Sequence, residues 1–339
     1  MNGRTENDLH IEKRIEIRLE DQDETLGEFY SWMNGKSVLT QEKYIYYVID
    51  FIDYCKEKLE VDHIGREDYN KITLAILDEY IKGLNKSKRN SDGRNGTSII
   101  VTRVCAISTF FKFLKTRGIV DSNICEYVDR PKVRPEDHIT FLTKEEIKEL
   151  MDNIERGVGT ARSIEYSKKY KTRDRLICLL PIITGMRVSA LRNINIEDVD
   201  MKNMTVSVVE KENKRRVFQL PSSVCNEIGK WIGEREEIFK EVECDTTALF
   251  VSIHKGECKR LTAKAINDVI KKYSCTIHKK ITAHKLRDTF ATNLYNETSD
   301  IFLVSEMLGH QNPETTKKYV RASDQQKKGA VKIMADIIY

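Results

Sequence analysis

The chain has 339 residues, enough for two domains with real cores. Hydrophobic residues make up 40% and charged residues 32%, the profile of a soluble globular protein, and no run nears the roughly eighteen apolar residues of a membrane span. A net charge of +4 permits nucleic-acid binding without demanding it, and eight cysteines with no C-x-x-C pair speak against a zinc site or a disulfide framework. Reduced thiols, no signal peptide and a cytoplasmic location are the expectations.

Residues 1–25 read as an acidic N-terminal tail, with eight acids against four bases. Ile11, Ile15 and Leu19 allow a short helix there; Ile15, Ile17 and Leu19 equally allow a strand. Residues 26–130 read as helical. Thr40 is placed to cap a helix carrying Tyr44, Tyr47, Val48, Phe51, Ile52 and Cys55 at helical spacing. Residues 72–84 give a second helical pattern, and 99–114 a third with Val104, Ile107, Phe111 and Leu114 on one face. Between these two lies the basic segment 85–96, NKSKRNSDGRNG, either a solvated loop or a loop that a phosphate backbone would order.

Residues 131–139, with two prolines and mixed charge, read as a linker into a second domain, 140–339. Thr143 with Glu146 predicts a capping box. A buried helix over 174–183 should end at Gly185, strands are expected at 204–209, 215–220 and 248–252, and helices at 263–273, 283–295 and 301–308.

Four stretches in this half can carry chemistry. In TGMRVSALRNI (184–194), Arg187 occupies a tight turn between two apolar helices, waiting for an anion or held in a structural salt bridge with Asp198. In the hairpin VVEKENKRRVFQL (208–220), Lys211 sits at a charged tip. In AHKLRDTF (283–290), Thr282 is an N-cap, so His284 and Arg287 share a face in the first turn, where a helix start already favours anions. In LGHQNPETTKKYV (308–320), Gly309 closes a helix, His310 stands at the corner, Asn312 and Pro313 restart the chain, and Tyr319 follows two turns later as core aromatic or as nucleophile. Each stretch alone has an ordinary structural explanation. Two arginines, two histidines, a lysine and a tyrosine in this order, with no carboxylate pair or metal set, match phosphoryl transfer through a covalent tyrosyl ester.

With these four boxes the sequence resembles the tyrosine recombinase family, the phage-integrase-like site-specific recombinases; residues 26–130 resemble its core-binding domain more loosely. Two departures stand out: Ala190 where the family often has Glu, and Glu210 and Glu212 where it often has Gly around the hairpin lysine, which leaves Lys214 as a competitor for Lys211.

The resemblance implies a mainly α fold with a small antiparallel β-sheet, arranged as a two-domain C-shaped clamp on duplex DNA. It implies that Tyr319 attacks the scissile phosphate to give a 3′-phosphotyrosyl link, with Arg187 and Arg287 on the phosphate oxygens, His284 as base, Lys211 as acid to the leaving 5′ oxygen and His310 donating to the phosphate. It implies no cofactor and no metal. Lys43, Lys86, Arg89, Arg103 and Lys112 are the expected phosphate contacts of the first domain. The partners implied are duplex DNA with inverted-repeat core sites, three further copies of the chain in a tetramer that exchanges strands through a Holliday junction, and accessory bending or directionality proteins. The apolar stretch AVKIMADII near the C-terminus is expected to pack as a helix, in cis or on a neighbouring copy.

The short acidic N-terminus disfavours a separate arm-site domain. That leaves mobile-element integrases, towards which the polar segment 155–171 leans, and Xer-like resolvers of chromosome or plasmid dimers. A type IB topoisomerase and a DNA-binding protein without catalysis are the readings from other classes.

Overall fold

A computed structural model describes residues 6–86, 94–129, 139–209, 215–240, 242, 246–254, 257–310 and 313–320. The chain splits into two compact units, Met1–Pro135 and Glu136–Tyr339. The mostly helical architecture with small antiparallel sheets agrees with the fold class expected from sequence.

The first unit is built from α1 (Glu6–Leu19), α2 (Glu24–Trp32), α3 (Val38–Leu59), α4 (Leu74–Lys86) and α5 (Arg94–Thr116). Its N-terminal segment is no free tail. Residues 6–19 are helical, and Ile11 and Ile15 are buried in the same core as α3 and α5. The 3.6-residue period that those isoleucines share with Leu19 wins over the strand alternative because it gives the acidic helix one apolar stripe to bury. The N-cap of α3 is Ser37, not Thr40, and Ile45, Val48, Phe51, Ile52 and Cys55 form its buried face.

α5 is the axis of this unit. Its stretch Thr97–Thr116 is long and apolar enough by composition to cross a membrane. Its apolarity is explained by packing: Ile100, Val104, Ile107, Phe110, Phe111, Phe113 and Leu114 are buried, and Phe110 meets Phe29 edge-on at 5.1 Å.

The second unit opens with α6 (Lys144–Arg156), capped by the expected Thr143–Glu146 box. α7 (Ala161–Lys169) and α8 (Lys171–Thr184) follow, then α9 (Val188–Asn193). The polar segment 155–171 is therefore mostly folded helix, with Ser167 buried. β1 (Val199–Asp200), β2 (Thr205–Val209) and β3 (Arg215–Gln219) form an antiparallel sheet in which Val206 pairs with Phe218 and Val208 with Arg216.

α10 (Ser222–Ile238) buries Val224, Ile228 and Trp231. Only Val251 and Ser252 of the third expected strand lie in one, β4 (Val251–His254), which pairs with β5 (Glu257–Arg260); Ala248 makes an isolated bridge to Asn195. Then come α11 (Ala263–Tyr273), α12 (Ala283–Thr298), α13 (Ile301–Leu308) and α14 (Lys317–Val320). α8 lies at the centre, against α12, α10 and α11. Its Asp174 is buried and shared by Arg173 (2.7 Å) and the Tyr273 hydroxyl (2.9 Å), so its charge is paired.

Among the described residues six cysteines are free thiols and Cys258 is disulfide-bonded, against the expectation of wholly reduced thiols. The expected C-terminal helix lies outside the described residues, as does most of the linker.

Candidate active site

The site grows from a corner where three helix ends meet. α8 stops at Gly185, whose φ of +65° is left-handed. A Cβ there would stand 2.5 Å from the Phe290 ring of α12, so both the backbone and the neighbour require glycine. Two residues on, Arg187 is the N-cap of α9, in extended conformation and half-buried. α13 ends the same way at Gly309, φ +63°.

Arg287, only 2% exposed, binds the corner together. It donates to the Gly185 carbonyl at 2.6 Å and to the Leu308 carbonyl at 2.8 Å, so one guanidinium ties the end of α8 to the end of α13. A buried cation needs such acceptors, and helix C-termini offer unsatisfied ones.

His310 follows directly. Its Nε2 lies 3.3 Å from Arg287 Nη2 and its Nδ1 lies 2.8 Å from Thr316 Oγ1. Arginine has no acceptor, so Nε2 must accept and Nδ1 carries the proton donated to Thr316. Partial burial and the charges of Arg287, Arg187, Lys318 and Arg216 push His310 down to about 4. It is neutral at physiological pH.

Tyr319 is 1% exposed, packed with Ala291, Tyr295, Val304 and Leu308. Its hydroxyl donates to Asp288 Oδ1 at 2.8 Å. Burial first, then the Asp288 carboxylate, hold the phenol well above the ordinary tyrosine range, against the opposing charge of Arg287. In this conformation Tyr319 is a core aromatic with its hydroxyl turned to the polar cluster.

His284 and Arg287 do share the first turn of α12, capped by Thr282 as expected, but differ in burial. The His284 side chain is 66% exposed, with Nε2 3.8 Å from Asp288 Oδ2. Desolvation lowers its pKa; Asp288 opposes this, while Lys318, Lys285 and Arg287 reinforce it. Lys211 lies outside the described residues, as does Lys214.

Three residues at the site were not singled out from sequence. Asp288 is 1% exposed and gathers Tyr319, Lys318 (3.0 Å), Lys285 (3.6 Å) and His284 around one carboxylate. Thr316 is fully buried and accepts from His310 Nδ1. Arg216 of β3, stacked over Phe218 at 4.7 Å, donates to the Glu306 carbonyl (3.2 Å) and the Met307 carbonyl, which docks the hairpin on the end of α13. The only advance signal was for Asp288, which stands four residues after His284 on one helix.

The phage integrase family model matches residues 140–326. This chain belongs to that family. It is 29% identical over 311 residues to tyrosine recombinase XerA of Pyrococcus furiosus, covering 91% of this chain and 93% of that protein. It is 32% identical over 228 residues to tyrosine recombinase XerC of Roseiflexus castenholzii, covering 67% and 68%. A solved XerH recombinase, in a post-cleavage complex with a palindromic difH substrate, shares the fold with a TM-score of 0.65 at 20% identity, over 91% of this chain and 84% of that one. The family match covers every catalytic candidate named from sequence, Lys211 included.

In the first unit, Lys43 and Lys112 are exposed on α3 and α5. Arg103 is different. It pairs with Asp50, donates to the Tyr80 hydroxyl at 2.8 Å and lies over the Tyr47 ring at 4.8 Å. Those partners give it a structural job within the first unit. The Lys86 side chain and Arg89 lie outside the described residues.

Proposed function

We propose that this protein is a site-specific DNA recombinase that cuts and rejoins duplex DNA through a 3′-phosphotyrosyl intermediate. One observation carries the reading: Tyr319, His310, His284 and Arg287 surround one small polar cluster, with Arg187 near enough for its charge to act on His310. That set supplies a nucleophile, a base and cationic donors for a phosphodiester.

In the proposed reaction, Tyr319 Oη bonds to the scissile phosphorus and its proton passes to His284. The 5′ oxygen leaves with a proton from Lys211. Arg187 and Arg287 stabilise charge gathering on the non-bridging oxygens. His310, neutral with its proton on Nδ1, donates to phosphate only after its ring or tautomer rearranges. The ester conserves the bond energy, so religation needs no nucleotide.

Four copies are read as pairing two core sites of inverted repeats. The same chemistry serves a mobile-element integrase or a resolver of chromosome and plasmid dimers. The Xer names of relatives spanning most of the chain favour the resolver. The polar segment that suggested an integrase loses weight as folded helix.

A suicide duplex, nicked so that the cut strand diffuses away, tests the proposal. Wild type should give a covalent protein–DNA adduct on a denaturing gel, and Tyr319→Phe none. An adduct that survives Tyr319→Phe, or none with wild type, overturns it. Sequencing genomic adduct sites separates the roles: ends of one element indicate an integrase, a single chromosomal or plasmid site a resolver.

A further inference from the structure

Tyr319 cannot react where it stands. Its ring is buried, and its hydroxyl faces a carboxylate that is itself 1% exposed. Two donors meet at Asp288 Oδ1, the Tyr319 hydroxyl at 2.8 Å and Lys318 Nζ at 3.0 Å, both from α14. Lys318 also covers the Tyr319 ring at 4.7 Å. The other oxygen, Oδ2, faces Lys285 Nζ at 3.6 Å and His284 Nε2 at 3.8 Å, both from α12. One carboxylate therefore stands between nucleophile and candidate base, touching the first and just short of contact with the second.

When Tyr319 swings out to meet a phosphate, Asp288 loses a hydrogen bond on its buried side. A buried carboxylate is costly without donors, so it must recruit replacements. His284 is the nearest imidazole and is exposed, hence free to rotate. A carboxylate closing on it favours the protonated ring and so strengthens it as a proton acceptor.

We propose that Asp288 is a positioning residue that withholds Tyr319 in the free protein and, once the phenol leaves, orients His284 to take the phenolic proton. Release of the nucleophile and arming of its base are then one event. The balance is simple: the Tyr319 proton moves to His284, the phenolic oxygen bonds to phosphorus as the bond from phosphorus to the 5′ oxygen breaks, that oxygen leaves with a proton from Lys211, and Asp288 stays ionised throughout. The inference rests on the proposed nucleophilic role of Tyr319, but its first two readouts do not.

The test uses the full chain. With 3-fluorotyrosine incorporated, the Tyr319 resonance is the one lost in Tyr319→Phe. It should titrate at lower pH in Asp288→Asn than in wild type; equal titration overturns the hold. By histidine side-chain NMR, His284 should titrate at higher pH in Tyr319→Phe than in wild type, because the freed carboxylate turns to it; an unmoved His284 overturns the hand-over. The charges facing His284 are Asp288, Lys285 and Arg287 on α12 and Lys318 on α14, and all remain in that variant. The phenylalanine variant also covers the case in which Asp288→Asn fails to fold. Finally, the acid limb of single-turnover cleavage should shift to lower pH in Asp288→Asn, and an unmoved limb counts against the proposal. If wild type forms no adduct, the recombinase reading fails while both NMR results still decide what Asp288 does.

Discussion

His310 shows how much a single residue's partners decide. As a histidine at a corner it is an open acid–base candidate. With Arg287 on Nε2 and Thr316 on Nδ1 it is a neutral ring of fixed tautomer. The sign of its pH effect follows. Its folded pKa, about 4, lies below the ordinary value near 6.5, so the folded state binds fewer protons than the unfolded chain. Its contribution to stability should be complete above about 6.5 and drain away as pH falls towards 4. Chemical denaturation of wild type and His310→Gln across that window checks this: wild type should lose more stability than the variant. Equal losses would show that the imidazole is ordinarily basic. Asp288 shows the opposite limit of legibility. Nothing along the chain announces that the residue after Arg287 will meet a tyrosine 31 positions later, because that contact exists only once α14 folds back onto α12.

At the scale of elements, the end of α13 is the most constrained feature. Arg216 caps its Glu306 and Met307 carbonyls and Arg287 its Leu308 carbonyl. Gly309 makes room, since a Cβ there would stand 2.5 Å from Arg216 Nη1. Gly309→Ala should therefore cost about 1–2 kcal/mol from its left-handed φ, and displace Arg216 as well. Arg216→Met keeps the backbone and loses the cap together with the guanidinium stacked over Phe218. Both should speed hydrogen exchange at the end of α13 and lower cleavage on the suicide duplex; unchanged exchange in Arg216→Met would show that the hairpin is not docked through this residue. Sequence reading recovered the elements with a clean period. α11 and α13 match the expected bounds, and α12 begins where Thr282 placed it. It passed over α10, whose buried Val224, Ile228 and Trp231 are diluted by Gly229, Gly233 and six charged residues. It also passed over the β4–β5 pairing, because four-residue strands carry too little alternation to register.

For the molecule as a whole, the part in DNA binding proposed for the first unit turns on which cations are available. Lys43 and Lys112 are exposed, whereas Arg103 is spent on Asp50, Tyr80 and the Tyr47 face. If a lysine meets a phosphate, its removal should weaken binding to all sequences alike and reduce the slope of log K against log salt by about 0.9. Lys43→Ala and Lys112→Ala should each do so. Arg103→Met should leave the slope alone and cost about 0.5–1.5 kcal/mol of folding stability through its lost hydrogen bonds, since the Tyr80 hydroxyl still donates to Asp50 at 2.6 Å. Salt titrations by fluorescence anisotropy, beside urea melts, separate the two outcomes.

The double duty of Arg287 extends this to thermodynamic linkage. The guanidinium proposed to grip the phosphate also bolts Gly185 to Leu308. If phosphate draws its donors away from those carbonyls, occupancy of the site and tightness of the corner share one coupling free energy, and reciprocity fixes it in both directions. Bound DNA must then loosen the hold on α13 by as much as a loosened α13 would favour bound DNA. An inhibitor that wedges the corner shut would therefore compete with the substrate without occupying any part of the phosphate's own position.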